Sequence, residues 1–177
     1  AFDMIQADPE FSRRRSTVLF NGSWHKGVIG IVASRLTEKY YRPTFVISCC
    51  EETAKIGKGS ARSIEGYSLP DALSYANKYL IQYGGHAMAA GFQIEKCNIT
   101  AFREKIEEDG KNKLTIDQLQ PIIRIDAETN ISDLTRTLMD ELHQLEPFGC
   151  ANPNPLFATR KVNVIGTPKV IGKKNNH

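Results

Sequence analysis

Three short segments of this 177-residue chain carry side chains able to hold an anion or take part in acid–base chemistry. In Gly57-Lys58-Gly59-Ser60-Ala61-Arg62-Ser63, Ser60 and Arg62 stand two residues apart, so an extended backbone points both to one side. A guanidinium that grips phosphate with a two-pronged fork, beside a hydroxyl that adds a hydrogen bond, suits a terminal phosphate. A polar edge strand entered through flexible glycines fits the same residues, and local chemistry leaves both readings open. In Tyr83-Gly84-Gly85-His86-Ala87-Met88-Ala89-Ala90-Gly91, two glycines ahead of an expected helix start would let backbone amides approach an anion, with His86 as a further donor. A tight turn with a surface histidine is the competing reading. Trp24-His25-Lys26-Gly27 falls where a strand is expected to give way to a helix, the ligand edge of open α/β sheets, so His25 could reach a phosphate or a catalytic centre. A lone histidine at such a position is more often a satisfied loop histidine than a catalyst.

Other chemistries find less support. No serine or cysteine stands in a nucleophile arrangement. Cys49, Cys50, Cys97 and Cys150 form no C-x-x-C pair and no ligand spacing with histidine, which argues against a zinc ribbon or redox motif, and the adjacent Cys49 and Cys50 in their apolar run read as small hydrophobes packed in a reducing cytoplasm. Asp140, Glu141 and His143 could suggest metal ligands on a helix, but the two acids are successive and diverge around its axis. No metal site is expected in this chain.

The elements that must position these residues read as α/β. Thr17-Val18-Leu19-Phe20 is a short strand with Asn21-Gly22 as a turn, and Val28, Ile29, Val32, Leu36 and Tyr40 recur at helical steps up to Pro43. Thr44 to Ser48 is a buried-type strand, so residues 17–48 predict a right-handed βαβ unit with parallel strands. Residues 55–62 read as a strand leading into a backbone-exposed loop. Ser68 caps a helix with Pro70 inside it and Leu69, Ala72, Leu73, Ala76 and Leu80 on its buried face. Gly84-Gly85 breaks the chain, a small-residue turn or short helix runs through Gly91, and Phe92-Gln93-Ile94 is a strand. Another helix is expected from about Thr100 to Glu108, after Asn98 as cap. The polar stretch from Gly110 to Thr115 is a candidate boundary, giving domains 1–115 and 116–177. Beyond it, residues 121–126, 162–165 and 170–171 read as strands, and Ile131, Leu134, Leu138, Leu142 and Leu145 mark a helix ended by Pro147.

Composition sets outer limits. With 41% hydrophobic, 24% charged and 8% aromatic residues the chain is of ordinary globular type, which excludes wholesale disorder and repeat bias. A net charge of +3 does not announce nucleic-acid binding, but Arg160, Lys161, Lys169, Lys173 and Lys174 crowd the last stretch without an acid, and Arg13, Arg14 and Arg15 form a second knot. The longest apolar run is far short of a membrane span, and the acidic start is unlike a secretory signal. A first residue of Ala suggests processing or an excised piece.

The order of the motifs is more specific than any one of them. Trp24-His25 followed by GVIGIVASRL, GSARSI, GGHAMAAG and PFGCANPNPLF resembles the C-terminal portion of the RecJ family of single-strand-specific DNA exonucleases, in the DHH phosphoesterase superfamily. The resemblance implies a DHH-associated domain with a mixed, partly parallel sheet flanked by helices, then a truncated OB-fold-like β domain. It implies a 5′–3′ exonuclease of DNA repair and recombination, cytoplasmic, whose Mn2+ or Mg2+ is bound by an N-terminal DHH domain absent here. The chain alone would then be inactive and hold no catalytic residue. Ser60 and Arg62 would bind the 5′-terminal phosphate, Gly84, Gly85 and His86 would cradle a phosphate near the metal domain, and His25 would line the same cleft. The partners implied are single-stranded DNA and that DHH domain. The family often has Gly where this chain has Ala61, a small change that leaves the contact plausible. A superfamily phosphodiesterase acting on oligoribonucleotides or cyclic dinucleotides, and a non-enzymatic nucleic-acid-binding module, are the alternatives.

Overall fold

A computed structural model describes residues 1–49, 55–163 and 165–167. The chain divides into two compact units, 1–121 and 122–177. The first opens with the short helix α1 (Phe2–Gln6), whose Ile5 is buried. The parallel βαβ unit follows as expected: β1 (Thr17–Asn21), α2 (Ile29–Tyr40) and β2 (Thr44–Ser48), with Thr17 opposite Thr44 and Asn21 opposite Ser48. All five residues of β2 are buried, as a strand covered on both faces requires. The seam of α2 runs through Ile29, Ala33, Leu36 and Thr37, whereas Val28, expected on that face, is exposed. Tyr41 ends the helix in the left-handed region (φ 47°), its N–H donating to Thr37 O, ahead of Pro43.

From here the strands alternate in direction. β3 (Ile56–Arg62) pairs antiparallel with β2, and β4 (Leu80–His86) forms a hairpin with β5 (Ala89–Glu95), which in turn pairs with β3. The order is β1-β2-β3-β5-β4, a mixed sheet flanked by helices. Two expectations are corrected. Residues 56–62 are a regular central strand and no loop, because the small residues Gly57, Gly59 and Ala61 fit beneath the opposite layer and both neighbours complete its ladder. Gly84-Gly85-His86 ends a strand and does not begin a helix, since the backbone through Gly91 continues directly into β5.

One sheet face is closed by α3 (Leu69–Tyr75) and α4 (Ile99–Lys113), which bury Leu69, Leu73, Phe102 and Ile106 against Phe45, Ile47, Phe92 and Ile94. Leu80, expected on the α3 face, instead starts β4. Ser68 precedes α3, and Pro70 occupies its first turn, but the Ser68 side chain makes no capping bond. α4 continues through Gly110 to Lys113, so the polar stretch there is helical for most of its length. Its buried Glu107 accepts hydrogen bonds from Arg15 N, Ser16 N and Ser16 Oγ, which ties the entry of β1 to the helix layer. The opposite face is covered by α2 over Leu19 and Val46.

In the second unit, β6 (Ala127–Glu128) and β7 (Phe157–Ala158) pair in parallel, and α5 (Arg136–His143) lies between them in sequence. Thr135 Oγ1 caps α5 by accepting from Leu138 N. The strand expected over 121–126 starts only at Ala127, and residues 162, 163 and 165 are not in a strand. Cys50, Val164, Val170, Ile171 and the lysines 169, 173 and 174 lie outside the described residues. No described residue of this unit is buried.

Candidate nucleic-acid interface

Residues directly opposite in a ladder share a face of the sheet, so the register fixes which of the candidate side chains meet. One rung runs Thr17, Thr44, Arg62, Ala89, His86 from β1 to β4; the next runs Leu19, Val46, Ser60, Gly91, Gly84. Val46 and Leu19 pack under α2, which identifies this as the α2 face. Ser60, Arg62, Gly84 and His86 therefore share it. Gly85 belongs to the other face, opposite the buried Ala90. Arg62 and His86 are two strand spacings apart, about 10 Å between backbones.

Arg62 is half-buried and oriented locally. Its Nη1 donates to Ala61 O at 2.8 Å and to Ser60 Oγ at 3.3 Å. Ser60 accepts in that bond, which leaves its own O–H to donate to a ligand. Above the pair sits the first turn of α2. A Cβ on Gly30 would lie 3.2 Å from Ser60 Oγ and 3.4 Å from Arg62 Nη2, so only a glycine lets the helix come this close without displacing them. The Val28 side chain does not cap this helix, and the first amides of α2 add their partial positive charge beside the guanidinium. The helix end expected at Gly84 is thus supplied by a different helix. Gly30 lies outside the three anion-binding motifs of the sequence, although a glycine within an amphipathic helix is a visible signal of close approach.

His86 is exposed at the end of β4. The hairpin tip beyond it is held by two backbone bonds, Leu69 N to Ala87 O and Ser63 N to Met88 O, both 3.1 Å. His25 lies on the exposed loop between β1 and α2, where its Nδ1 accepts from Gly27 N at 3.1 Å. The uncovered part of the α2 face is a shallow groove of about 320 Å³ bordered by Lys58, Gln82, Gly84, Gly91 and Gln93. A separate cavity of about 180 Å³ under α1, with Arg14 and Arg103 in its wall, contains none of the candidate residues. Among the described residues no group of three or more His, Cys, Asp or Glu could hold a metal ion.

Residues 15–112 match the DHHA1 domain model, which covers more than half of the chain. The chain belongs to the DHHA1 domain family. Residues 125–177 match the RecJ OB domain model. Over 160 residues the chain is 36% identical to the single-stranded-DNA-specific exonuclease RecJ of Bacillus subtilis, covering 90% of this chain and 20% of that relative. Over 152 residues it is 36% identical to RecJ of Thermus thermophilus, covering 86% and 21%. The crystal structure of a Thermus thermophilus RecJ in complex with Mg2+ superposes with a TM-score of 0.73 at 33% identity, over 88% of this chain and 24% of that one; the Mn2+ complex gives the same TM-score. The chain thus spans about a fifth to a quarter of the length of these relatives, and the resemblance to the C-terminal part of RecJ is confirmed. Within the DHHA1 domain, the sheet face carrying Ser60, Arg62 and His86 is the candidate interface. Mg2+ or Mn2+, as bound by the Thermus protein, finds no ligand cluster among its described residues.

Proposed function

We propose that this chain is the substrate-binding part of a RecJ-type single-stranded-DNA-specific 5′–3′ exonuclease acting in DNA repair and recombination in the cytoplasm. Residues 1–115 act as the DHH-associated domain and 116–177 as part of an OB-fold-like strand guide. Arg62 and Ser60 hold the 5′-terminal phosphate, with charge support from the first turn of α2. His86 donates to the same phosphate from β4, and Gly84 leaves the face open for it. Gly85 contributes by letting the strand end close on β5, and His25 borders the cleft from the loop after β1. Hydrolysis depends on a divalent ion, Mn2+ or Mg2+, held by a DHH domain outside these 177 residues, so the isolated chain binds but does not cut.

The observation that carries this reading is the Ser60–Arg62 pair, aligned on one sheet face with His86 in the Arg62 rung and Gly30 against both side chains. An arginine held in this way and presented beside a hydroxyl is built for a doubly charged terminal phosphate more than for an internal phosphodiester. The test is binding and digestion of single strands ending in a 5′ phosphate or a 5′ hydroxyl by the full-length enzyme. Losing charge-assisted hydrogen bonds worth about 1.5–3 kcal/mol should make Arg62→Ala roughly 10- to 100-fold worse on the phosphorylated end. Hydroxyl-ended strands should change little. An equal loss on both ends would reject the terminal-phosphate role.

A further inference from the structure

The alternation that aligns Arg62 with Ser60 reaches one step further back to Lys58. Lys58 stands opposite Gln93 on β5, and Gln93 stands opposite Gln82 on β4. On the covered side the same rung continues through Ser48, whose buried hydroxyl has no hydrogen-bond partner among the described residues, to Asn21. The whole rung is therefore polar, while the Ser60 rung on the same face contains Leu19 and Val46. Lys58 and Gln82 are exposed and Gln93 half-buried, on the part of the face that α2 leaves bare. Among the described residues no hydrogen bond or ion pair engages any of these three side chains.

This rung lies about 6.7 Å along the strands from the Ser60 rung, the length scale of one nucleotide in an extended single strand. Its chemistry is that of an internal nucleotide. An ammonium is a compact point charge suited to a phosphodiester, and a carboxamide offers a donor and an acceptor to an unpaired base edge. The groove on this face is lined by the rung together with Gly59, Tyr83, Gly84, Gly91 and Phe92. Gly91 and Gly84 stand in the Ser60 rung, so the groove extends from Lys58 to that rung.

We propose that Lys58, Gln93 and Gln82 form a second nucleotide subsite, taking the nucleotide next to the 5′-terminal one, with Lys58 on its phosphodiester and the carboxamides on its base. The terminal-phosphate reading is needed only to say which nucleotide this is. The experiment uses the full-length enzyme with chelator present, so that strands survive, and anisotropy with 5′-phosphorylated single strands whose second nucleotide is either intact or abasic. Gln82→Ala should weaken binding of the intact strand roughly fivefold, as loss of a neutral hydrogen bond implies, and leave the abasic strand as in wild type. Lys58→Ala should weaken both strands alike and flatten the salt dependence by about 0.7 in log–log slope, one phosphate contact on single-stranded DNA.

A Gln82→Ala loss that is nil, or equal on intact and abasic strands, overturns the base contact. An unchanged salt slope for Lys58→Ala overturns the phosphodiester contact. Both side chains are exposed, so neither change removes core packing. Arg62→Ala, run in parallel on phosphate- and hydroxyl-ended strands, reports on the end reading separately. If its preference survives while the rung effects vanish, the subsite fails alone. If the rung effects persist without any preference at Arg62, the end reading fails, and so does the assignment of the rung to the second nucleotide.

Discussion

Strands β3 and β4 carry the two glycine-rich segments of the molecule, and glycine does opposite work in them. β3 is central, paired on both sides, and its Gly57 and Gly59 point into the core. The Phe92 ring fills the place where a Gly59 Cβ would stand, and Ile47 Cγ2 would lie 2.9 Å from a Cβ on Gly57. These glycines are holes shaped to receive large neighbours. β4 is an edge strand, paired on one side, with no buried residue. A methyl group added at Gly84 would meet nothing within 4 Å, while Gly85 sits at φ 150° with Ala89 O and Ala90 directly against it. There the need is backbone conformation and close approach to β5, not a pocket. The consequence for function is a site of two halves. Ser60 and Arg62 rest on a strand that the whole core over-determines, whereas His86 rests on an edge held by the hairpin ladder and two backbone bonds at its tip.

The largest effect expected from this contrast is at Gly59. Gly59→Ala should force the Phe92 ring out of a close-packed layer of Phe45, Phe92 and Phe102, costing about 3 kcal/mol or more. For a unit of this size that is a fall in Tm of roughly 10 °C, read by thermal unfolding. Shortening the ring in the double variant Gly59→Ala with Phe92→Leu should recover part of the loss. No recovery would mean that the ring is not what occupies the space.

Gly85→Ala should cost less and act locally. A side chain at φ 150° carries backbone strain of about 1–3 kcal/mol, and the added carbon meets Ala89 and Ala90. An edge strand can relieve this by leaving the sheet without opening the core. Hydrogen exchange should therefore show faster opening at residues 80–86 with β3 amides still protected. Loss of protection in β3 as well would show that the two strands form one cooperative unit and would dissolve the distinction between them.

The same contrast governs what the amino-acid pattern made legible. The βαβ unit is readable because β2 is an unbroken apolar run and α2 repeats apolar residues at helical steps, both direct consequences of burial. Ser60 and Arg62 are readable as a same-face pair from period-two geometry alone, but not the strand's central place, since its inward residues are glycines and alanine rather than bulky hydrophobics. β4 is the hardest to read. An edge strand with every residue from 81 to 86 exposed shows no apolar alternation, and the two-residue tip Ala87-Met88 contains none of the Asn-Gly or Asp-Gly signals of a hairpin; neither residue has positive φ. The tip is stabilised from outside, by Leu69 and Ser63, through contacts that no local pattern encodes. In the second unit α5 shows in the spacing of its apolar residues, while two-residue strands such as β6 and β7 are too short for any periodicity to mark them.

The smallest effect on the fold, and the sharpest on the reading of the site, is expected at Gly84. It has negative φ, open space on the ligand face and a place in the Ser60 rung, so Gly84→Ala should change stability by no more than about 0.5 kcal/mol. In the full-length enzyme the methyl group would stand in the groove between His86 and the Gln82 rung, where the strand must pass if both rungs contact it. Binding of 5′-phosphorylated single strands should then fall while Tm stays put, the reverse of Gly59→Ala, in which stability falls before any ligand is added. A bulkier Gly84→Val should deepen the binding defect, because the obstruction is steric and a Cβ at this position meets no described atom within 4 Å. If Gly84→Val binds phosphorylated strands as wild type does, the groove is not on the path of the DNA, and the anion held by Arg62 must be reached without crossing β4.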